Sequence, residues 1–172
     1  MASDPTRVPP QSLESERALL GALLLKPDAI HDVADSIKPD SFYAEKHRLI
    51  FAAMRELADR GEPIDQLSLS ERLKNQGLLE RTGGRSYLAE LAAAAPAPGN
   101  YAHYADLVAQ KSVMRALIDA YDDDPDFHEW ADRVPGSAVE KLIAHMVRKG
   151  KWNDPVWLRE YVQESLDKEC AA

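Results

Sequence analysis

The chain has 172 residues, room for one ordinary domain or for a small domain with an appendage. Its 21 Lys+Arg against 29 Asp+Glu give a formal net charge of -8, which argues against an unaided grip on phosphate backbones, because that needs a net basic face. The only cysteine, Cys170, excludes an intrachain disulfide and a cysteine zinc cluster, and the longest apolar run, residues 18–25, is too short to span a bilayer.

Residues 1–8 are polar and aperiodic and read as a flexible tail. Asp4, Glu14 and Glu16 lie where a secretory signal needs basic residues, so a cytoplasmic protein with no membrane contact is expected. Ser12 offers a helix N-cap oxygen, and Glu14 and Glu16 complement the dipole of the first turn. Leu13, Leu20 and Leu24 form one apolar row and Leu19 and Leu23 a neighbouring one, until Pro27 stops the helix. A second helix is expected over 29–37, with Ile30, Val33, Ala34 and Ile37 keeping the period. A third is expected over 42–60, with Ile50, Met54 and Leu57 inward and Gly61 as its C-terminal cap. A fourth begins at Leu67 or Ser68 and ends at Gly77. Gly83-Gly84 is a sharp turn before a fifth helix over 85–94, which carries Tyr87, Leu88 and Leu91. Pro96 and Pro98 break the chain. Asn100 caps a long sixth helix over 101–121, whose apolar stripe includes Tyr104, Leu107, Val108, Met114, Leu117, Ile118 and Tyr121.

The run Asp122-Asp-Asp-Pro-Asp126 marks a boundary. Beyond an acidic linker at 122–136, Ser137 to Glu140 reads as a capping box, and Asp154-Pro155 as a second helix start. Residues 137–172 therefore read as a helical appendage of unassigned role. No strand pattern or internal repeat is found, so the fold class is all-α.

Catalytic constellations are scarce. A phosphate loop needs a glycine upstream of its Gly-Lys-Ser/Thr end; Gly150-Lys151 has neither that glycine nor the hydroxyl. The five histidines lack metal-ligand spacing and read as surface or partly buried residues, so no metal and no cofactor are expected. The aspartates around Pro125 lack the central glycine and distant glutamate of a calcium loop. Arg72, Lys74, Arg81 and Arg85 alternate with Glu71 and Glu80, as on a solvated face. The chain is therefore expected not to be an enzyme. What remains is hydrophobic: the stripe of the sixth helix fits either the domain's own core or a partner helix.

One ordered set of motifs is specific: Val8-Pro-Pro-Gln-Ser-Leu-Glu-Ser-Glu16, Leu20-Gly-Ala-Leu-Leu24, Phe42-Tyr43, His47-Arg-Leu-Ile-Phe51, Arg60-Gly-Glu-Pro-Ile-Asp65, Leu69-Ser-Glu-Arg-Leu73, Gly83-Gly84 with Tyr87-Leu88, and Asn100 with Tyr104, Lys111 and Leu117-Ile118. In this order and spacing it resembles the N-terminal domain of the bacterial replicative DNA helicase, the DnaB family, over about residues 8–120. The resemblance implies a compact helical bundle over 9–121 with a long helix or helical hairpin. It also implies a non-catalytic module of DNA replication, a homodimer or higher oligomer that binds primase, helicase subunits or a helicase loader. Strong direct nucleic-acid binding is not expected. Carried over by motif, the partner-binding residues are Glu14, Tyr87 and Ile118. Tyr104, Leu107, Val108, Met114, Leu117 and Tyr121 form the oligomerisation stripe. The ATPase domain of the family has no counterpart in this sequence. The alternatives are a regulator that caps a helicase hexamer and a truncated fragment of the helicase.

Overall fold

Among the residues that the structure, a computed structural model, describes (9–123, with side chains for 9–119), every regular element is helical. The first helix, α1 (Leu13–Leu25), opens where a cap oxygen is available: the Ser12 hydroxyl accepts from the Ser15 N–H at 3.4 Å. Residues 18–24 are all buried, Gly21 included, so α1 is enclosed on every side rather than along one face. Leu13 stands exposed at its start, and the row read from it turns inward only at Leu20.

The second helix, α2 (Ala29–Val33), is shorter than its apolar period suggested. The Ser36 hydroxyl and the amides of Ser36 and Ile37 all converge on the Val33 carbonyl, which closes the turn. Lys38 is then extended, as a residue before proline prefers. Pro39–Ser41 forms a 3-10 turn, so α3 (Glu45–Asp59) begins three residues later than expected. Gly61, at φ 65°, takes the left-handed position after it. The fourth helix, α4 (Gln66–Asn75), starts earlier than expected because the Asp65 carboxylate caps it, accepting from the Ser68 N–H at 2.8 Å. The fifth, α5 (Gly84–Ala94), follows the left-handed Gly83, and a 3-10 turn at Pro98–Asn100 leads into α6 (Tyr101–Asp123).

The chain divides into two units, Gln11–Ser112 and Met1–Pro10 with Val113–Ala172. In the first, α1 packs most extensively on α5 and also meets α3, while α3 packs on α4 and α4 on α5. Leu19, Leu20 and Leu23 of α1 lie in a core with Phe42, Phe51, Ile50 and Leu73. Each such side chain contributes roughly 1.5–3 kcal/mol through the apolar surface it removes from water. Gly21 sits where α1 and α5 approach: a Cβ there would meet the Leu91 carbonyl carbon at 3.1 Å and the Ala95 Cβ at 3.2 Å. Tyr101 anchors the start of α6 in this unit, its hydroxyl donating to Asp32 at 2.5 Å and its ring lying 4.7 Å from the Lys26 ammonium.

In the second unit Arg115 donates to the Pro10 carbonyl at 2.8 Å, and Val113 and Leu117 are buried. The linker expected at 122–136 lies almost entirely, and the appendage expected at 137–172 wholly, outside the described residues. The same holds for the flexible tail expected at 1–8. No helix of the described residues is long and apolar enough to cross a membrane.

Candidate functional site

Glu16 occupies the first turn of α1, where an acidic side chain suits the positive end of its own helix. Its carboxylate instead turns inward and is only 2% exposed. It accepts the Tyr43 N–H at 2.5 Å and the Ala44 N–H at 3.3 Å. Ala44 is the N-cap of α3 and has no capping side chain of its own. Glu16 therefore supplies from another helix the cap acceptor that the Ala44 side chain cannot.

Three residues on, His47 places its ring against the same carboxylate, with Nδ1 2.6 Å from Glu16 Oε2. His47 is 1% exposed. Its other nitrogen, Nε2, lies 2.6 Å from the Tyr87 hydroxyl. Both carboxylate oxygens already face donors, so Nδ1 carries its proton toward Glu16, and in the neutral ring Tyr87 donates into the Nε2 lone pair. The chain of bonds thus runs from α1 through α3 to α5. The imidazole also stacks on the Tyr87 ring, with centroids 6.0 Å apart at 13°.

Tyr87 reaches this position because of the glycine before it. Gly83 has φ 94°, a left-handed conformation, and a Cβ there would stand 2.8 Å from the Tyr87 Cβ. The double glycine is thus a steric requirement of the turn and of Tyr87. The Tyr87 ring is 9% exposed, and the Lys46 ammonium lies 3.7 Å from its centroid. Carboxylate, imidazole and hydroxyl follow one another as they do in a nucleophilic triad, yet all three members are buried, which makes the chain an internal brace.

Around this brace the charges pair on the surface. Glu45 bonds Arg81, Glu71 bonds Arg85 at 2.9 Å, and Glu56 lies 3.5 Å from Arg72. The exposed pairs Glu45–Arg81 and Glu71–Arg85 contribute roughly 0.2–1 kcal/mol each, whereas the Arg72 side chain is mostly buried. No group of three or more His, Cys, Asp or Glu residues converges as a metal site among the described residues.

The residues singled out from sequence fall in different environments. Glu14 is exposed on α1 and takes no part in the chain of bonds, whereas Tyr87 is one of its ends. Ile118 is half-buried on α6. Of the stripe, Val108 and Leu117 are buried, Tyr104 and Leu107 half-buried and Met114 exposed. The side chain of Tyr121 lies outside those described. Glu16 and His47 escaped the sequence reading, which gave Glu16 to the dipole of α1 and took His47 for a surface or partly buried histidine. The signal for both was position. Glu16 shares a face with Leu20 and Leu23, and His47 with Ile50, Phe51 and Met54, all buried.

Comparison with known proteins adds the following. Residues 8–110 match the family model described as the DnaB-like helicase N terminal domain. The chain is 44% identical over 112 residues to the replicative DNA helicase DnaC of Bacillus subtilis and 46% identical over 112 residues to the replicative DNA helicase DnaB of Geobacillus stearothermophilus. Each match takes in 65% of this chain and 25% of the relative, so the chain spans about a quarter of the length of these proteins. Among solved structures, the N-terminal domain of DnaB helicase from Mycobacterium tuberculosis aligns with a TM-score of 0.67 at 32% identity, covering 84% of this chain and 99% of that one. A DnaB-like replicative helicase, described together with its interactions with primase, aligns with a TM-score of 0.52 at 27% identity over 66% of this chain and 28% of that one.

Proposed function

The chain belongs to the family of DnaB-like helicase N-terminal domains, and from that premise we propose that it is a non-catalytic interaction and oligomerisation module of DNA replication. It acts in the cytoplasm, and its partners are primase, helicase subunits or a helicase loader. Primase is favoured, because a structure similar to this chain is that of a replicative helicase described with its primase interactions. Glu14 and Tyr87 in the first unit and, separately, Ile118 in the second are the partner-binding residues of this reading, and α6 carries the self-association. The observation that carries this reading is the uneven burial of α6. Beside its buried residues runs a second row at 3-4-3-4 spacing, Tyr104, Leu107, Lys111, Met114 and Ile118, of which Met114 is exposed and the others half-buried. A row at that spacing suits a second helix laid along the first.

Sedimentation velocity at micromolar concentration tests the assembly. Dimers or larger species are expected, and Leu107→Asp with Met114→Asp should give monomers of unchanged helicity. A wild-type chain that stays monomeric at 100 µM would overturn the oligomerisation reading. Primase docking is tested by calorimetric titration of the chain with primase, and absence of binding would overturn that half.

A further inference from the structure

The Tyr87 hydroxyl is committed to His47, one face of its ring to the imidazole, and the ring lies under the Lys46 ammonium. Little of Tyr87 is left for a partner to touch, since only 9% of it is exposed. Lys46 lies on the solvent side of this arrangement and is half-buried. Its neighbour Glu45 is taken by Arg81, and among the described residues no carboxylate pairs with Lys46. Its ammonium is held by a ring that is itself held, through His47, by the Glu16 carboxylate. A lysine fixed in this way has given up part of its rotamer freedom before any partner arrives, which lowers the entropic cost of a contact.

We infer that Glu16, His47 and Tyr87 work as one positioning unit, and that Lys46 is the contact residue of this site, offered to a carboxylate on the partner. The inference rests on the docking reading above and deepens it. Tyr87 then influences docking without being a principal contact: it seats α5 against α1 and α3 and fixes where the Lys46 charge stands. The partner surface opposite carries an aspartate or glutamate, which the Lys46 ammonium, held in place on the Tyr87 ring, attracts.

The test is calorimetric titration of primase into the wild-type chain and into Lys46→Met, Lys46→Arg, Tyr87→Phe and Glu16→Gln, each at two salt concentrations. Melting temperature is recorded in parallel, and binding is measured well below every melt. Lys46→Met keeps the apolar stem and removes the charge. It should bind about 3- to 10-fold more weakly and with a flatter salt dependence, at unchanged melting temperature. Lys46→Arg should restore both affinity and salt dependence. Tyr87→Phe should weaken binding by a similar factor, and combining it with Glu16→Gln should cost no more than the larger single effect, as expected for members of one unit. Wild-type affinity and salt dependence in Lys46→Met would overturn the contact. Full affinity in Tyr87→Phe would overturn the positioning role. A wild-type chain that does not bind primase at all would overturn the docking reading first and this inference with it, an outcome distinct from binding that ignores Lys46.

Discussion

Replacing Gly21 by alanine sets two known effects against each other. In an exposed helix interior the change stabilises by roughly 1 kcal/mol, because alanine loses less backbone freedom on folding than glycine. Here the new Cβ would stand far closer to the Leu91 carbonyl oxygen than the 3.0 Å that real Cβ atoms respect, with the Leu91 carbonyl carbon at 3.1 Å and the Ala95 Cβ at 3.2 Å. Two of the three neighbours are backbone atoms of α5 and have no rotamer to escape into. The helices must therefore part by on the order of 1 Å, a gap that forfeits a quarter to a half of each dispersion contact along the seam. Overpacking of this kind costs typically about 1–3 kcal/mol, and more where the backbone itself must move. Since α5 is the main packing partner of α1, the steric term exceeds the helix-propensity gain, and a net loss of about 2–3 kcal/mol is expected. For a unit of this size that lowers the melting temperature by roughly 10–20 °C. Thermal and urea melts followed by circular dichroism measure it. Gly61→Ala is the comparison: φ is 65° and nothing lies within 4 Å, so only left-handed strain of about 1 kcal/mol is at stake. A Gly21→Ala protein as stable as the wild type would refute the close approach of α1 and α5.

Two further expectations concern single contacts. Asp65→Ala removes the cap of α4 and should cost about 1 kcal/mol in urea titration, with Asp65→Asn retaining most of it. The Tyr101 phenol is raised above its ordinary 10.0 by its hydrogen bond to Asp32, by burial and by the negative charge of Asp32. The folded state therefore holds this proton more tightly than the unfolded one. The resulting stabilisation is fully present below about pH 10 and is lost as pH rises through the raised folded value. In phenolate absorbance the Tyr101 titration should move down in Asp32→Asn; an unchanged curve would break the assignment.

The sequence was legible wherever one residue acts on its neighbours. Ser12 caps α1, Pro27 follows its end, Gly61 closes α3 and Gly83 opens α5, all through contacts within a few positions. Asp65 shows the limit of that reading: an equally local cap, it starts α4 at Gln66, ahead of the Leu67 or Ser68 expected. The brace was not legible, because its bonds join residues 31 and 40 positions apart and no spacing rule reaches that far. A weaker signal was nonetheless present. Glu16 and His47 stand on the apolar rows of their helices, and a titratable side chain on a buried row must find a partner there or leave its charge or dipole unsatisfied. Position on the row, rather than proximity to a motif, marked Glu16 as the inward carboxylate of the first turn and left Glu14 outside.

The same logic resolves why the stripe of α6 fitted both its own core and a partner helix. An α-helix advances 100° per residue, so residues one apart on neighbouring rows differ little in periodicity but can differ greatly in burial. Ala105, Val108, Ala109 and Ser112 are buried in the first unit and Val113 and Leu117 in the second. Tyr104, Leu107, Met114 and Ile118 belong to the adjacent row, and Lys111 falls in the middle of it. The apolar sector of α6 is thus wider than the roughly 100° that one packing face requires. One row is used within the chain, and the row beside it keeps apolar surface with a single charge at its centre. A lysine at such a position in a helical seam weakens pairing but restricts register and partner number. In the pairing proposed for α6, replacing Lys111 by leucine should strengthen self-association while loosening its specificity, seen in sedimentation velocity as larger and more varied species, the reverse of what removing a core residue does.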